Sequence, residues 1–115
     1  MHEMSLAGGI LRLVEQAHAR EPFKRVSRLN LKAGALAGVE THALRFALEA
    51  LAPGTLLDGA TIEIDEQPGA AWCMKCARNV PITSRIDDCP RCGSAQLQPT
   101  GGTELKLHEL IVHDD

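Results

Sequence analysis

The sequence contains few aromatic residues, no long apolar run and no excess of positive charge. Two Phe, one Trp and no Tyr occur in 115 residues, so the core must be built from Leu, Ala, Val and Ile. The net charge of −3 and the scattered basic residues argue against a nucleic-acid-binding surface. No segment approaches the roughly 20 apolar residues that span a bilayer. We therefore expect no nucleic acid and no membrane among the partners.

A secretory signal and the common catalytic motifs are also missing. Arg12 and Glu15 interrupt the N-terminal segment, so no cationic stretch is followed by an unbroken apolar one. We therefore expect a cytoplasmic protein, in which paired cysteines serve metal or redox roles more often than structural disulfides. No phosphate-binding G-x-x-x-x-G-K-S/T motif or activated nucleophile pair is present, and Asp87 and Asp88 suit a solvated turn. The sequence thus predicts a protein that is not an enzyme.

The apolar pattern predicts an α+β fold. Leu, Ile and Val at helical spacing predict helices over residues 5–20 and 39–52. Alternating apolar residues predict strands at 25–34, 61–66 and 103–112. Because the last strand needs a partner, we expect it to join the first two in a small three-stranded sheet that carries both helices.

Two adjacent glycines interrupt the first predicted helix. Gly8 and Gly9 each cost about 1 kcal/mol relative to Ala in a helix interior. We therefore expect this turn of the helix, which Ser5 would cap, to pack closely on another part of the protein.

All four cysteines lie between the second and third predicted strands, as two C-x-x-C pairs separated by twelve residues. A two-residue spacer lets both thiolates of a pair bind one ion, and zinc prefers a tetrahedron of such ligands. So short a segment buries too little surface to fold alone, which makes the metal a source of folding free energy. The alternatives are redox-active pairs or two disulfides, but a thioredoxin-like site needs a βαβ frame and a single pair. We therefore predict a closed Cys₄ zinc site in an inserted zinc-ribbon-like module.

His2 and Glu3 directly follow the first residue. The amine, two backbone amide nitrogens and the His2 imidazole can surround one ion in a plane, which suits Ni(II) or Cu(II). Alternatively, the imidazole and the Glu3 carboxylate join water in a six-coordinate site. Both arrangements require deprotonated ligands, so binding should weaken as His2 protonates. A role without metal, with Glu3 favourable at a helix N-terminus, also fits these residues.

Three features together resemble the HypA/HybF family of nickel metallochaperones for [NiFe]-hydrogenase maturation. They are MHEMSLA at the start, two C-x-x-C pairs of which the second reads CPRCGS, and the order of the elements. The resemblance covers essentially the whole chain. It implies delivery of Ni(II) to a hydrogenase large subunit with a HypB-type GTPase as partner and, as in some relatives, urease maturation factors.

The resemblance also assigns residues and domains. It implies nickel ligands at the start of the chain and at the start of the second helix, namely Met1, His2, Glu3 and Glu40. It implies structural zinc on the four thiolates, those of Cys73, Cys76, Cys89 and Cys92. We expect residues 1–69 and 101–115 to form the nickel-binding domain and residues 70–100 the zinc-binding domain. From the residues alone, a zinc-ribbon interaction module without a nickel role and a small redox protein remain open.

We expect one residue added ahead of Met1 to weaken nickel binding more than Glu3→Gln does, because the addition moves the amine out of the chelate whereas Gln keeps an oxygen donor. Nickel titration of the two variants beside the untagged chain compares the affinities. An extension without effect would exclude the amine as a ligand and favour the six-coordinate arrangement.

Overall fold

The computed structural model describes residues 2–115, and the prediction that Met1 binds nickel lies outside these residues. The described chain is α+β, with two helices and six strands. The elements are α1 (Glu3–Arg20), β1 (Arg25–Gly34), α2 (Thr41–Leu51), β2 (Thr61–Gln67), β3 (Gly69–Cys73), β4 (Arg78–Ile82), β5 (Leu97–Gly101) and β6 (Leu105–His113). Neither described helix is long and apolar enough to cross a membrane.

The strands form two three-stranded sheets, ordered β2-β1-β6 and β4-β3-β5. The first sheet confirms the predicted return of the last strand to β1, and both predicted helices are present with ends shifted by one or two residues. The second sheet lies inside the cysteine segment, where the sequence predicted no strands. Its central strand β3 is antiparallel to both neighbours.

The chain divides into two compact units, and the boundary between them falls within β1, β2 and β6. The helical unit comprises the residues up to Leu31, then Glu40–Ile64 and Leu107–Asp115. The thiol unit comprises Lys32–Val39 and Asp65–Lys106. The division into a nickel-binding domain (residues 1–69 and 101–115) and a zinc-binding domain (residues 70–100) stays a prediction.

The helical unit has an aliphatic core, as the scarcity of aromatic residues requires. Each helix contributes buried residues three or four positions apart, which is the spacing that places side chains on one helix face. The core side chains include Ala7, Ile10, Val14, Leu29, Leu31, Leu44, Leu48, Leu57 and Ile62. Phe23 adds an aromatic side chain at the end of α1, where its ring meets His18 edge-on with 4.9 Å between ring centroids.

In the thiol unit, glycines allow separate backbone segments to approach each other closely. A Cβ added to Gly34 would lie 2.1 Å from the carbonyl oxygen of Gly102, and one added to Gly102 would lie 2.5 Å from that of Pro68. Gly102 also has a left-handed φ of 72°. The carbonyl oxygen of Gly102 accepts the Leu36 N–H at 2.7 Å, so the close approach is also hydrogen-bonded.

Contrary to the prediction from the sequence, the glycines of α1 do not pack closely on another described part of the protein. A Cβ added to Gly8 or Gly9 would meet no atom within 4 Å among those described. The predicted close packing at this turn is therefore wrong for the described chain, and Ser5 is not the cap either, because α1 starts at Glu3 with His2 as its N-cap residue. The glycines cost helix stability without a steric requirement inside the molecule.

This contrast predicts opposite effects of the same substitution. Gly9→Ala should raise the free energy of unfolding by about 1 kcal/mol, because Ala restricts the unfolded chain and meets open space. Gly34→Ala should lower it, because the methyl group collides with backbone that cannot rotate away. Chemical denaturation of both variants measures the difference, and destabilisation by Gly9→Ala would contradict the described environment of α1.

Candidate metal centre

The four cysteine sulfurs form one cluster. All four Sγ atoms lie within 4.8 Å of one another. The Cys73–Cys92 and Cys76–Cys89 separations are 3.6 Å and 3.9 Å. A tetrahedral ion with metal–sulfur bonds of about 2.3 Å has sulfur–sulfur edges of about 3.8 Å. The thiols therefore stand at the spacing of a tetrathiolate metal site, and all four are free rather than joined in disulfides.

Each C-x-x-C pair lies in a tight turn that directs backbone N–H groups at sulfur. In the first turn the Cys76 N–H donates to Cys73 Sγ at 3.3 Å, and in the second the Arg91 N–H donates to Cys89 Sγ at 3.4 Å. The residue after each pair has a left-handed backbone, with φ of 54° at Ala77 and 77° at Gly93. The same local geometry thus builds both halves of the cluster.

The pKa values of Cys76 and Cys89 are shifted in opposite directions. Burial acts to raise the pKa of Cys89, but the N–H groups of Cys92 and Arg91 outweigh it and bring the pKa to about 6. The hydrogen bond to the Cys92 thiol, followed by burial, raises the pKa of Cys76 to about 12. Because a metal binds the thiolate, cation binding near neutral pH must displace the proton of Cys76.

The loop between the two turns is held by Asp87. Its carboxylate accepts hydrogen bonds from the Thr83 N–H at 2.9 Å and the Thr83 hydroxyl at 3.0 Å, and from the Ser84 N–H at 3.3 Å. These donors, the Thr83 N–H first, lower the pKa of Asp87. Arg85 Nε donates to the Leu36 carbonyl at 2.9 Å and ties the same loop to the core of the thiol unit. Asp87 is therefore a turn-forming residue, as the sequence indicated.

The predicted nickel ligands lie at the N-termini of the two helices. His2 is exposed and its imidazole makes no capping hydrogen bond. Glu3 begins α1, and its carboxylate accepts the Glu40 N–H at 3.4 Å across 37 positions of sequence. Glu40 in turn caps α2 by accepting the Ala43 N–H. The structure thus places the carboxylate of Glu3, the residue that follows His2 in the sequence, against the backbone of Glu40.

These side chains do not form a preassembled site comparable to the thiol cluster. Within residues 2–115, His2, Glu3 and Glu40 are not among the groups of three or more donors close enough to hold one ion. Both carboxylates are instead engaged with backbone N–H groups at the helix ends. The capping role of Glu40 was missed from the sequence, because Ser, Thr, Asp and Asn are the usual N-cap residues.

Comparison with known proteins assigns the thiol cluster and the residues at the helix N-termini to one family match. Residues 1–112 match the family model described as "Hydrogenase/urease nickel incorporation, metallochaperone, hypA". The hydrogenase maturation factor HypA of Polaromonas naphthalenivorans is 60% identical over 115 residues, covering 100% of both chains. HypA of Cupriavidus necator is 56% identical over 114 residues, covering 99% of this chain and 96% of the relative.

A solved structure shares the fold. The solution structure of the Ni metallochaperone HypA from Helicobacter pylori superposes with a TM-score of 0.70 over 100% of both chains at 20% identity. At 20% identity the structural similarity shows the fold alone. The family model and the two relatives show the family. The chain therefore belongs to the HypA family of hydrogenase and urease nickel-incorporation metallochaperones.

Proposed function

We propose that this chain carries Ni(II) for the maturation of [NiFe]-hydrogenase and that the nickel binds where the N-termini of α1 and α2 meet. The observation that supports this location is the contact of the Glu3 carboxylate with the Glu40 backbone, immediately beside His2. An imidazole and carboxylates are donors that Ni(II) accepts. The amine and amide nitrogens of the first residues complete the proposed ligand set with Met1.

This arrangement suits a carrier because its ligands have competing partners. Drawing the Glu40 carboxylate onto nickel removes the N-cap of α2, which costs about 1 kcal/mol. Drawing Glu3 onto nickel breaks its bond to the Glu40 N–H. Release of the ion restores both hydrogen bonds, so the protein itself favours transfer to a recipient. The exposure of His2 lets recipient ligands approach the ion directly.

The thiol cluster is proposed to hold a structural zinc ion through Cys73, Cys76, Cys89 and Cys92. Its sulfur–sulfur distances fit a tetrahedron, and Ni(II) with nitrogen and oxygen donors favours other geometries. Four thiolates leave no coordination position for a substrate, so this zinc supplies folding free energy and no chemistry. We infer on this basis that the protein is not an enzyme.

The proposed partners follow from family membership. They are a HypB-type GTPase and the hydrogenase large subunit that receives the nickel, with urease maturation factors as a second destination, all in the cytoplasm. The zinc-ribbon interaction module without nickel is not favoured, because the family match covers residues 1–112 and includes the N-terminal segment.

His2→Ala should lower nickel affinity at least tenfold, because it removes the imidazole ligand. His108→Ala is the matched control: His108 is also exposed but lies on β6 and should bind nickel as the unsubstituted chain does. Equilibrium dialysis of both variants, with the zinc content measured alongside, separates the two metals. Unchanged nickel affinity in His2→Ala would remove the chemical basis of the proposed carrier.

Metal removal should make all four cysteines reactive. In the zinc-loaded protein we expect no rapid alkylation of thiols, whereas a chelator should make all four reactive, because they share one ion. Cys76→Ser should lower retained zinc below one per chain and increase amide exchange within residues 71–95, with α1 and α2 protected as before. Rapid alkylation of the loaded protein would instead support redox-active pairs.

A further inference from the structure

The outer face of the β4-β3-β5 sheet carries the chain's single tryptophan. Trp72 is 39% exposed, whereas its neighbours Ala71 and Cys73 are fully buried. Side chains alternate between the two faces of a strand, so the indole lies on the side opposite the thiol cluster. Met74, two positions later, is 60% exposed. One large apolar side chain on the sheet and a second in the turn that follows β3 are therefore exposed, whereas the other side of the sheet is a closed core.

The residues around the indole are polar and uncharged. Trp72 lies directly opposite Asn79 on β4 and Gln98 on β5, so an amide side chain stands on each flank. The Thr100 hydroxyl donates to the Asn79 amide oxygen at 3.0 Å and leaves the Asn79 NH₂ group as a donor on the surface. We name this surface, formed by Trp72, Met74, Asn79, Gln98 and Thr100, the Trp72 face.

The composition of the Trp72 face resembles that of the centre of a protein–protein interface. The centres of protein–protein interfaces are depleted in charged residues and enriched in Trp and Met, and a buried Trp is a frequent hot spot. The Trp72 face has no charged member, although 23% of the chain is charged. Trp72 does not belong to the core cluster of the thiol unit, whose buried residues lie on the opposite side of the sheet.

Charge indicates what kind of partner fits. Residues 69–82 and 94–103, which supply all three strands, contain the two cations Lys75 and Arg78 and no acidic residue. Both cations are exposed and follow Met74, and neither forms an ion pair within the described chain. Two cations and one aromatic side chain are too few for a nucleic-acid groove, which tracks a phosphate backbone with repeated stacking.

We propose that the Trp72 face docks an acidic segment of a partner protein. The segment buries the Trp72 indole and Met74, hydrogen-bonds with the amides of Asn79 and Gln98, and places carboxylates against Lys75 and Arg78. This goes beyond nickel carriage, because none of these residues is a proposed ligand at either metal site, although Met74 and Lys75 lie in the turn between Cys73 and Cys76. It gives the thiol unit a recognition role that is independent of the ligands at the helix N-termini.

The test uses the zinc-loaded full chain and a displayed library of random 12-residue peptides. Peptides selected on the unsubstituted chain should be enriched in Asp and Glu beside apolar residues. Their affinity should fall at least tenfold on Trp72→Ala and on Lys75→Glu combined with Arg78→Glu. Ile86→Ala is the control, because Ile86 is 90% exposed in the same unit but lies outside the Trp72 face. Gln98→Glu, a surface change that spares the core, should also weaken binding by repulsion.

A fluorine label on Trp72, the single tryptophan, reports directly whether a peptide binds at the Trp72 face. With 5-fluorotryptophan at position 72, the one ¹⁹F signal should shift on addition of a selected peptide. Retained zinc and an unchanged unfolding midpoint show that each variant is folded. Enrichment of basic or neutral peptides, or binding that Trp72→Ala leaves intact, would overturn the proposal. Conversion of a dimer to a monomer by Trp72→Ala would overturn it too, because the occupant would then be a second copy.

Discussion

The convergence of four sulfurs on one point is the interaction on which the thiol unit depends. Its core cluster contains few buried apolar side chains, namely Leu36, Ala71, Val80 and Ile82 beside the cysteines themselves. A core of that size offsets little conformational entropy, since ordering each residue costs about 1–2 kcal/mol. A shared metal ion would close both turns at once and thereby fix the ends of β3 and β4, which lead into and out of the first turn.

The two proposed metal sites differ in how far the protein prepares them. The thiols already stand at tetrahedral spacing, two of them buried and two half-buried, so an ion would meet four ligands in place. At the helix N-termini the carboxylates already have backbone donors, and nickel must displace these hydrogen bonds. One chain thus combines a site that favours retention with one that favours exchange. A carrier needs both, because its fold must survive each loss of the transported ion.

The sequence predicted those features that depend on local patterns. β1 was predicted at its observed bounds because apolar and polar residues alternate over 29–33 and the pattern ends at a glycine. The Cys₄ cluster followed from the spacing of the cysteines. The sheet of β3, β4 and β5 was missed because its strands are five residues long and two contain proline, which normally argues against a strand. These strands pair through contacts between separate parts of the segment, which no local pattern contains.

Other features depended on contacts between distant parts of the chain. The approach of Glu3 to Glu40 spans 37 positions and arises only when the two helices pack, so no local pattern contains it. The choice of Glu40 as a candidate came from family resemblance alone. Gly8 and Gly9 were misinterpreted because a glycine pair looks the same in sequence whether its neighbour is close or absent. Gly34 and Gly102, which do permit backbone contact, gave no distinctive signal.

The residues that follow the two cysteine pairs give the two halves of the cluster different backbone strain. Gly93 adopts its left-handed backbone at no steric cost, whereas Ala77 at φ 54° carries a Cβ that disfavours this conformation by about 1–2 kcal/mol. The strained half gains more by relaxing once the ion is gone. Loss of a bound ion would therefore favour opening of the turn of Cys73 and Cys76 over that of Cys89 and Cys92.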